Sequence, residues 1–199
     1  MIHRVVASAI GLFVCAVQSV AAEPAEIRTE AMFNIWAEQN KTVVEEFKTF
    51  LTIEDLNQVY PIYQLARTAS DWKVCGGSPF ELPPKRLWPR AKSTLSLVKL
   101  LIEEKVLEGG EVVSAYRRPS LNICAGGSKK SAHTAAFALD IKGIDGSARS
   151  LCQFFRTRGA KFNMGLSRYP SGRIHLDANG YRTWGSDFTS KTSFCREFR

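Results

Sequence analysis

The chain has 199 residues, 45% hydrophobic and 23% charged, a globular composition that excludes global disorder. That length suits one domain, with enough residues to bury a core. The formal charge of +8 favours anionic partners without choosing one, because a solvated basic face would carry the same charge.

Residues 1–22 read as an export signal. His3 and Arg4 form a short positive start, Val5 to Val20 is largely apolar, and Val20-Ala21-Ala22 offers small residues for cleavage before Glu23-Pro24. Ser8, Gln18 and Ser19 interrupt the apolar stretch, which is short for a spanning helix of about 20 apolar residues. Lipidation at Cys15 suits the bulky Phe13-Val14 poorly, and no later segment is apolar enough to span a membrane. Cleavage removes Arg4 and no acid, leaving +7 by the same count. It also leaves four of the five cysteines, Cys75, Cys124, Cys152 and Cys195. An even number in an oxidising compartment predicts one or two disulfides, with three pairings open. Their wide spacing argues against a Cys-rich metal site. The expected location is periplasmic or secreted.

Residues 23–199 are expected to form one domain, helical over about 29–108 and carrying its chemistry over about 110–199. Val43, Val44, Phe47, Phe50 and Leu51 recur at helical spacing within a helical stretch of about 29–70. Thr52-Ile53-Glu54-Asp55 resembles a helix start, and Pro61 breaks or begins a helix. Asp71 to Pro89 is loop-rich. Leu95, Val98, Leu101, Ile102 and Val106 mark a helix that Gly109-Gly110 stops. Glu111 to Tyr116, Ala136 to Ile141 and Arg173 to Ala178 read as strands, and Ser147 to Arg158 as a helix ended by Gly159. Helices first and short strands later predict an α+β fold with a small antiparallel sheet.

Histidine is scarce. Beyond His3, only His133 and His175 occur, each near an aspartate: Asp140 follows His133, and Asp177 follows His175. A lone histidine is usually a satisfied core or surface residue, but two with acidic partners have the character of a metal site. Two imidazoles and one carboxylate are the three protein ligands of a catalytic Zn2+, whose fourth position is left to water. In a strand, His175 and Asp177 face one way, and Ile174 and Leu176 the other. Asp177 is then placed to orient a ligand, act on the water or pair with a cation, unless it is a plain surface carboxylate.

Ser114-Ala115-Tyr116-Arg117-Arg118-Pro119, Ser131-Ala132-His133 with Asp140, Ile174-His175-Leu176-Asp177 and Gly180-Tyr181-Arg182-Thr183-Trp184 stand in one order over about residues 112–184. Together they resemble the motifs of the bacterial D-alanyl-D-alanine carboxypeptidase and murein endopeptidase family, the M15 peptidases. The resemblance implies a hedgehog/DD-peptidase-like fold and Zn2+ on His133, Asp140 and His175. It implies that Arg117 reaches the site, to bind a substrate carboxylate or the developing oxyanion; the proton passes to Asp177, to a residue elsewhere, or to none. Peptidoglycan stem peptides are the implied partners, with no nucleic acid. Two departures stand out: Ala136 replaces the motif's glycine, and Gly172 stands where relatives place the general base. The rival reading is a non-catalytic, zinc-containing envelope or peptidoglycan-binding module. Endopeptidase or carboxypeptidase specificity, disulfide pairing and oligomeric state stay open.

Overall fold

The computed structural model describes residues 28–136 and 138–198, so the export signal expected at residues 1–22 lies outside the described residues. Helix α1 (Glu30–Gln39) starts at Thr29, whose hydroxyl accepts from the Met32 amide at 3.2 Å. Helix α2 (Lys41–Ile53) follows. Phe33, Val44, Phe47 and Leu51 turn inward from the pair, as helical spacing requires. The Thr52–Asp55 stretch ends α2 instead of starting a helix, because Asp55 takes a left-handed φ of 56° and reverses the chain. Helix α3 (Ile62–Leu65) begins directly after Pro61.

Helix α4 (Trp88–Glu103) carries Pro89 in its first turn, where a missing amide hydrogen costs nothing. It ends before Gly109-Gly110, because Lys105 adopts φ 55°. Strand β1 (Glu111–Ser114), helix α5 (Pro119–Cys124), strand β2 (Ala138–Lys142) and helix α6 (Ala148–Arg158) come next. Strands β3 (Gly165–Arg168), β4 (Ile174–Asp177) and β5 (Arg182–Trp184) complete one sheet of order β1-β2-β4-β3-β5. The fold is α+β, as expected. The sheet is antiparallel except for its β3–β5 pair, which is parallel.

Period-two alternation divides the sheet into two faces. Val112, Leu139, Ile141, Leu166, Ile174 and Leu176 point into the core, where they join Leu95, Val98, Leu101 and Leu151. The opposite face carries a polar row. Ser114 pairs with Asp140, Asp140 with His175, His175 with Ser167, and Ser167 with Trp184. One register line therefore crosses all five strands and brings distant polar residues side by side.

Two disulfides resolve the pairing left open by sequence: Cys75–Cys124 ties the loop before α4 to α5, and Cys152–Cys195 ties α6 to the C-terminal segment. Such bonds fit an oxidising compartment. No helix among the described residues is long and apolar enough to cross a membrane.

Candidate metal centre

The adjacent strands β2 and β4 supply Asp140 and His175 as direct cross-strand partners. His133 comes from a short 3-10 turn, Ala132–Ala135, whose start is capped by the Ser131 hydroxyl. That turn closes at Ala136 with φ 60°, a left-handed backbone that a glycine would take without strain. Alanine's small side chain keeps the turn feasible at the position where the resemblance expects glycine.

The three side chains meet. His133 Nε2 lies 3.1 Å from Asp140 Oδ1 and 3.2 Å from His175 Nδ1, and His175 Nδ1 lies 3.0 Å from Asp140 Oδ1. All three residues are buried. The outer ring atoms fix the tautomers. His133 Nδ1 donates to the Ala115 carbonyl at 2.6 Å, and His175 Nε2 donates to Asp177 Oδ2 at 2.8 Å. Two nitrogen lone pairs and a carboxylate oxygen therefore face one another. Acceptors cannot satisfy one another without a proton or a cation between them.

This donor set fits a metal ion. Tetrahedral zinc ligands at about 2.0–2.1 Å stand about 3.3 Å apart, close to the edges of this triangle. Among the described residues, His133, Asp140 and His175 form the group able to hold an ion. The two imidazoles titrate in opposite directions. Burial pulls His175 down, but Asp140 and Asp177 outweigh it and hold its pKa above the usual value. Burial would raise Asp140, yet the neighbouring His133, His175 and Arg117 keep it well below the carboxylate range. Burial, assisted by the Arg117 charge, lowers His133 to about 4.

A second layer holds the first. Arg117 is nearly buried; its guanidinium pairs with Asp140 Oδ2 and donates to Ser114 Oγ at 2.8 Å. Asp177 is fully buried behind His175. Besides His175, its carboxylate accepts from the Asn179 amide at 2.8 Å and from the Arg182 guanidinium at 2.9 and 2.7 Å. It does not line the cleft, so its geometry is that of an orienting group.

The donor triangle opens on a cleft of about 510 Å3. Arg117, Lys130, Arg173 and Arg182 line it against the carboxylates of Asp71 and Asp140. Gly172 sits in the β3–β4 hairpin at φ 83°, outside the lining. A side chain there would start 3.9 Å from Asp145.

Residues 96–177 match the family model described as Peptidase M15. Over that stretch, less than half of its length, the chain is similar to the M15 peptidases. That segment runs from within α4 to the end of β4, so it contains all three donor residues, Arg117 and Asp177. It supports a metallopeptidase assignment for the site just described. No curated protein and no solved structure matches the chain.

Sequence reasoning gave no role to Tyr169 or Arg173 beside the donor triangle, and quoted Arg182 and Trp184 without one. Trp184 stacks edge-on against His175, with ring centroids 5.1 Å apart, and Arg182 lies over Trp184 at 4.7 Å. Pro170-Ser171-Gly172 between two short runs was the available hairpin signal for Tyr169.

Proposed function

We propose that the chain is a secreted zinc peptidase acting on peptidoglycan stem peptides or cross-links, with Zn2+ held by His133, Asp140 and His175. The observation that carries this reading is the buried triangle of two imidazole nitrogens and a carboxylate oxygen, with the outer nitrogen of each histidine engaged from behind. Residues 23–199 are read as one peptidase domain behind the signal peptide 1–22, and the two disulfides support an exported location.

Bound zinc supplies charge that polarises a carbonyl oxygen and brings the pKa of water to about 7. The protein's own part is preorganisation. Ala115 O and Asp177 orient the two imidazoles, and Arg182 holds Asp177 in place. Asp177 is thus a positioning residue for His175. Arg117 fixes Asp140 and turns its remaining donors to the cleft, where they suit a substrate carboxylate. The excess of cleft cations suits stem peptides, which carry free carboxylates. Cross-link cleavage and terminal trimming both fit.

One observation favours a second reading, a zinc-containing wall-binding module: the turn glycine at 172 leaves no carboxylate where the resemblance places the base. Incubating purified protein with peptidoglycan, with and without a chelator, separates the two. New stem-peptide products that the chelator abolishes support the peptidase. Equal product in both samples refutes a metal-dependent hydrolase. Sedimentation with peptidoglycan and no product favours the binder.

A further inference from the structure

Tyr169 stands beside the donor triangle, its hydroxyl shared between the Asp140 carboxylate and His175. The oxygen lies 3.5 Å from His175 Nδ1, at the outer limit of a hydrogen bond, and the residue lines the cleft. Its position is built in by the β3–β4 hairpin. The Tyr169 amide donates to Arg173 O at 2.8 Å, and the Gly172 amide donates to Tyr169 O at 2.9 Å. Arg173 covers the ring, 5.4 Å from its centroid, and is tethered in turn to Ser70 and Ser171, at 3.0 Å each.

We propose that Tyr169 is a catalytic residue, donating a hydrogen bond from its hydroxyl to the substrate carbonyl oxygen as negative charge develops there. This rests on the peptidase reading above. The nearest nitrogen acceptor for the hydroxyl, His175 Nδ1, has one lone pair, and a cation in the triangle consumes it. The Asp140 carboxylate also attracts the hydroxyl, but Arg117 engages its Oδ2 and the triangle its Oδ1, so a more highly charged acceptor in the cleft competes for the phenol. A carbonyl oxygen drawn towards the cation presents the phenol with an acceptor on the cleft side. The cleft wall agrees: Arg117, Tyr169 and Arg173 are all donors, and the turn at Gly172 brings in no carboxylate. Such a wall stabilises an oxyanion by preorganised donors. Tyr169 keeps its O–H bond throughout, and no covalent bond to it forms or breaks.

Tyr169→Phe removes the hydroxyl and retains the ring beneath Arg173. The full-length mature protein and this variant, both zinc-loaded, would be compared in two measurements. Chelator competition gives zinc affinity, and calorimetry gives affinity for a phosphinate dipeptide, whose tetrahedral P–O oxygens replace the scissile amide. The expected result is zinc affinity equal within about twofold and phosphinate binding weakened by about 100-fold, the scale of losing one oxyanion donor. Equal phosphinate binding by both proteins overturns the Tyr169 assignment and leaves the peptidase reading standing. A tenfold loss of zinc affinity also overturns it, because the hydroxyl would then serve the ligand set. A wild type that holds zinc but neither binds phosphinate nor cleaves stem peptides sinks the peptidase reading, and the Tyr169 role with it.

Discussion

Asp177→Ala separates orientation of a ligand from proton handling. The Asp177 side chain is fully buried, and it is the sole hydrogen-bond partner of His175 Nε2 among the described residues. Removing it strands a buried N–H, at a cost of about 1–3 kcal/mol. The Arg182 pair adds little, about 0–1 kcal/mol, because the Arg182 side chain is 40% exposed and can turn to water. The larger consequence is chemical. Without an acceptor on Nε2, His175 loses the tautomer that aims Nδ1 at the other donors. Losses of this kind weaken metal binding by about 10–100-fold, or about 1.4–2.7 kcal/mol. Chelator-competition titration with zinc reads this directly, and thermal unfolding with and without zinc reads the stability cost. Zinc affinity within twofold of wild type, combined with lost peptide cleavage, would refute the positioning role and return Asp177 to the proton.

Two other predictions follow from the same geometry. Gly165 lies opposite Asp177 in register, and a Cβ added there would stand 2.3 Å from Asp177 Oδ2. Gly165→Ala should therefore weaken zinc by at least about tenfold while removing no site group; unchanged affinity in the folded variant would contradict the contact. Zinc binding should also depend on pH with a defined sign. His133 is already neutral down to about 4, but His175, held above its usual pKa, must release a proton to bind a cation. Affinity should thus be flat above the His175 pKa and fall about tenfold per pH unit below it. Titrations at pH 5 to 8 giving one constant value would contradict this.

The sequence made β4 legible because its alternation is complete: Ile174 and Leu176 are apolar, and His175 and Asp177 are polar. The same alternation showed that His175 and Asp177 share a face. It could not show depth. Asp177 sits behind His175 because Gly165, on the neighbouring strand, has no side chain to exclude it. Strand β3 escaped notice for another reason, and β5 is only three residues long. Gly165-Leu166-Ser167-Arg168 has no β-branched or aromatic residue, and its place in the sheet comes from pairing with β4 and, in parallel, β5. Tyr169 was hidden with them, since only the hairpin carries it to His175. The end of α4 and the turn at Asp55 were misplaced because non-glycine residues, Lys105 and Asp55, adopt left-handed backbone there. Asp55 carried only the weak left-handed preference of aspartate, and Lys105 none.

Anomalous diffraction at the zinc edge, from crystals of zinc-loaded protein, tests the central claim most directly. One strong peak should appear per chain, about 2.0–2.2 Å from His133 Nε2, Asp140 Oδ1 and His175 Nδ1. A peak elsewhere, or none beside those three atoms, would contradict the metal centre and the hydrolase built on it.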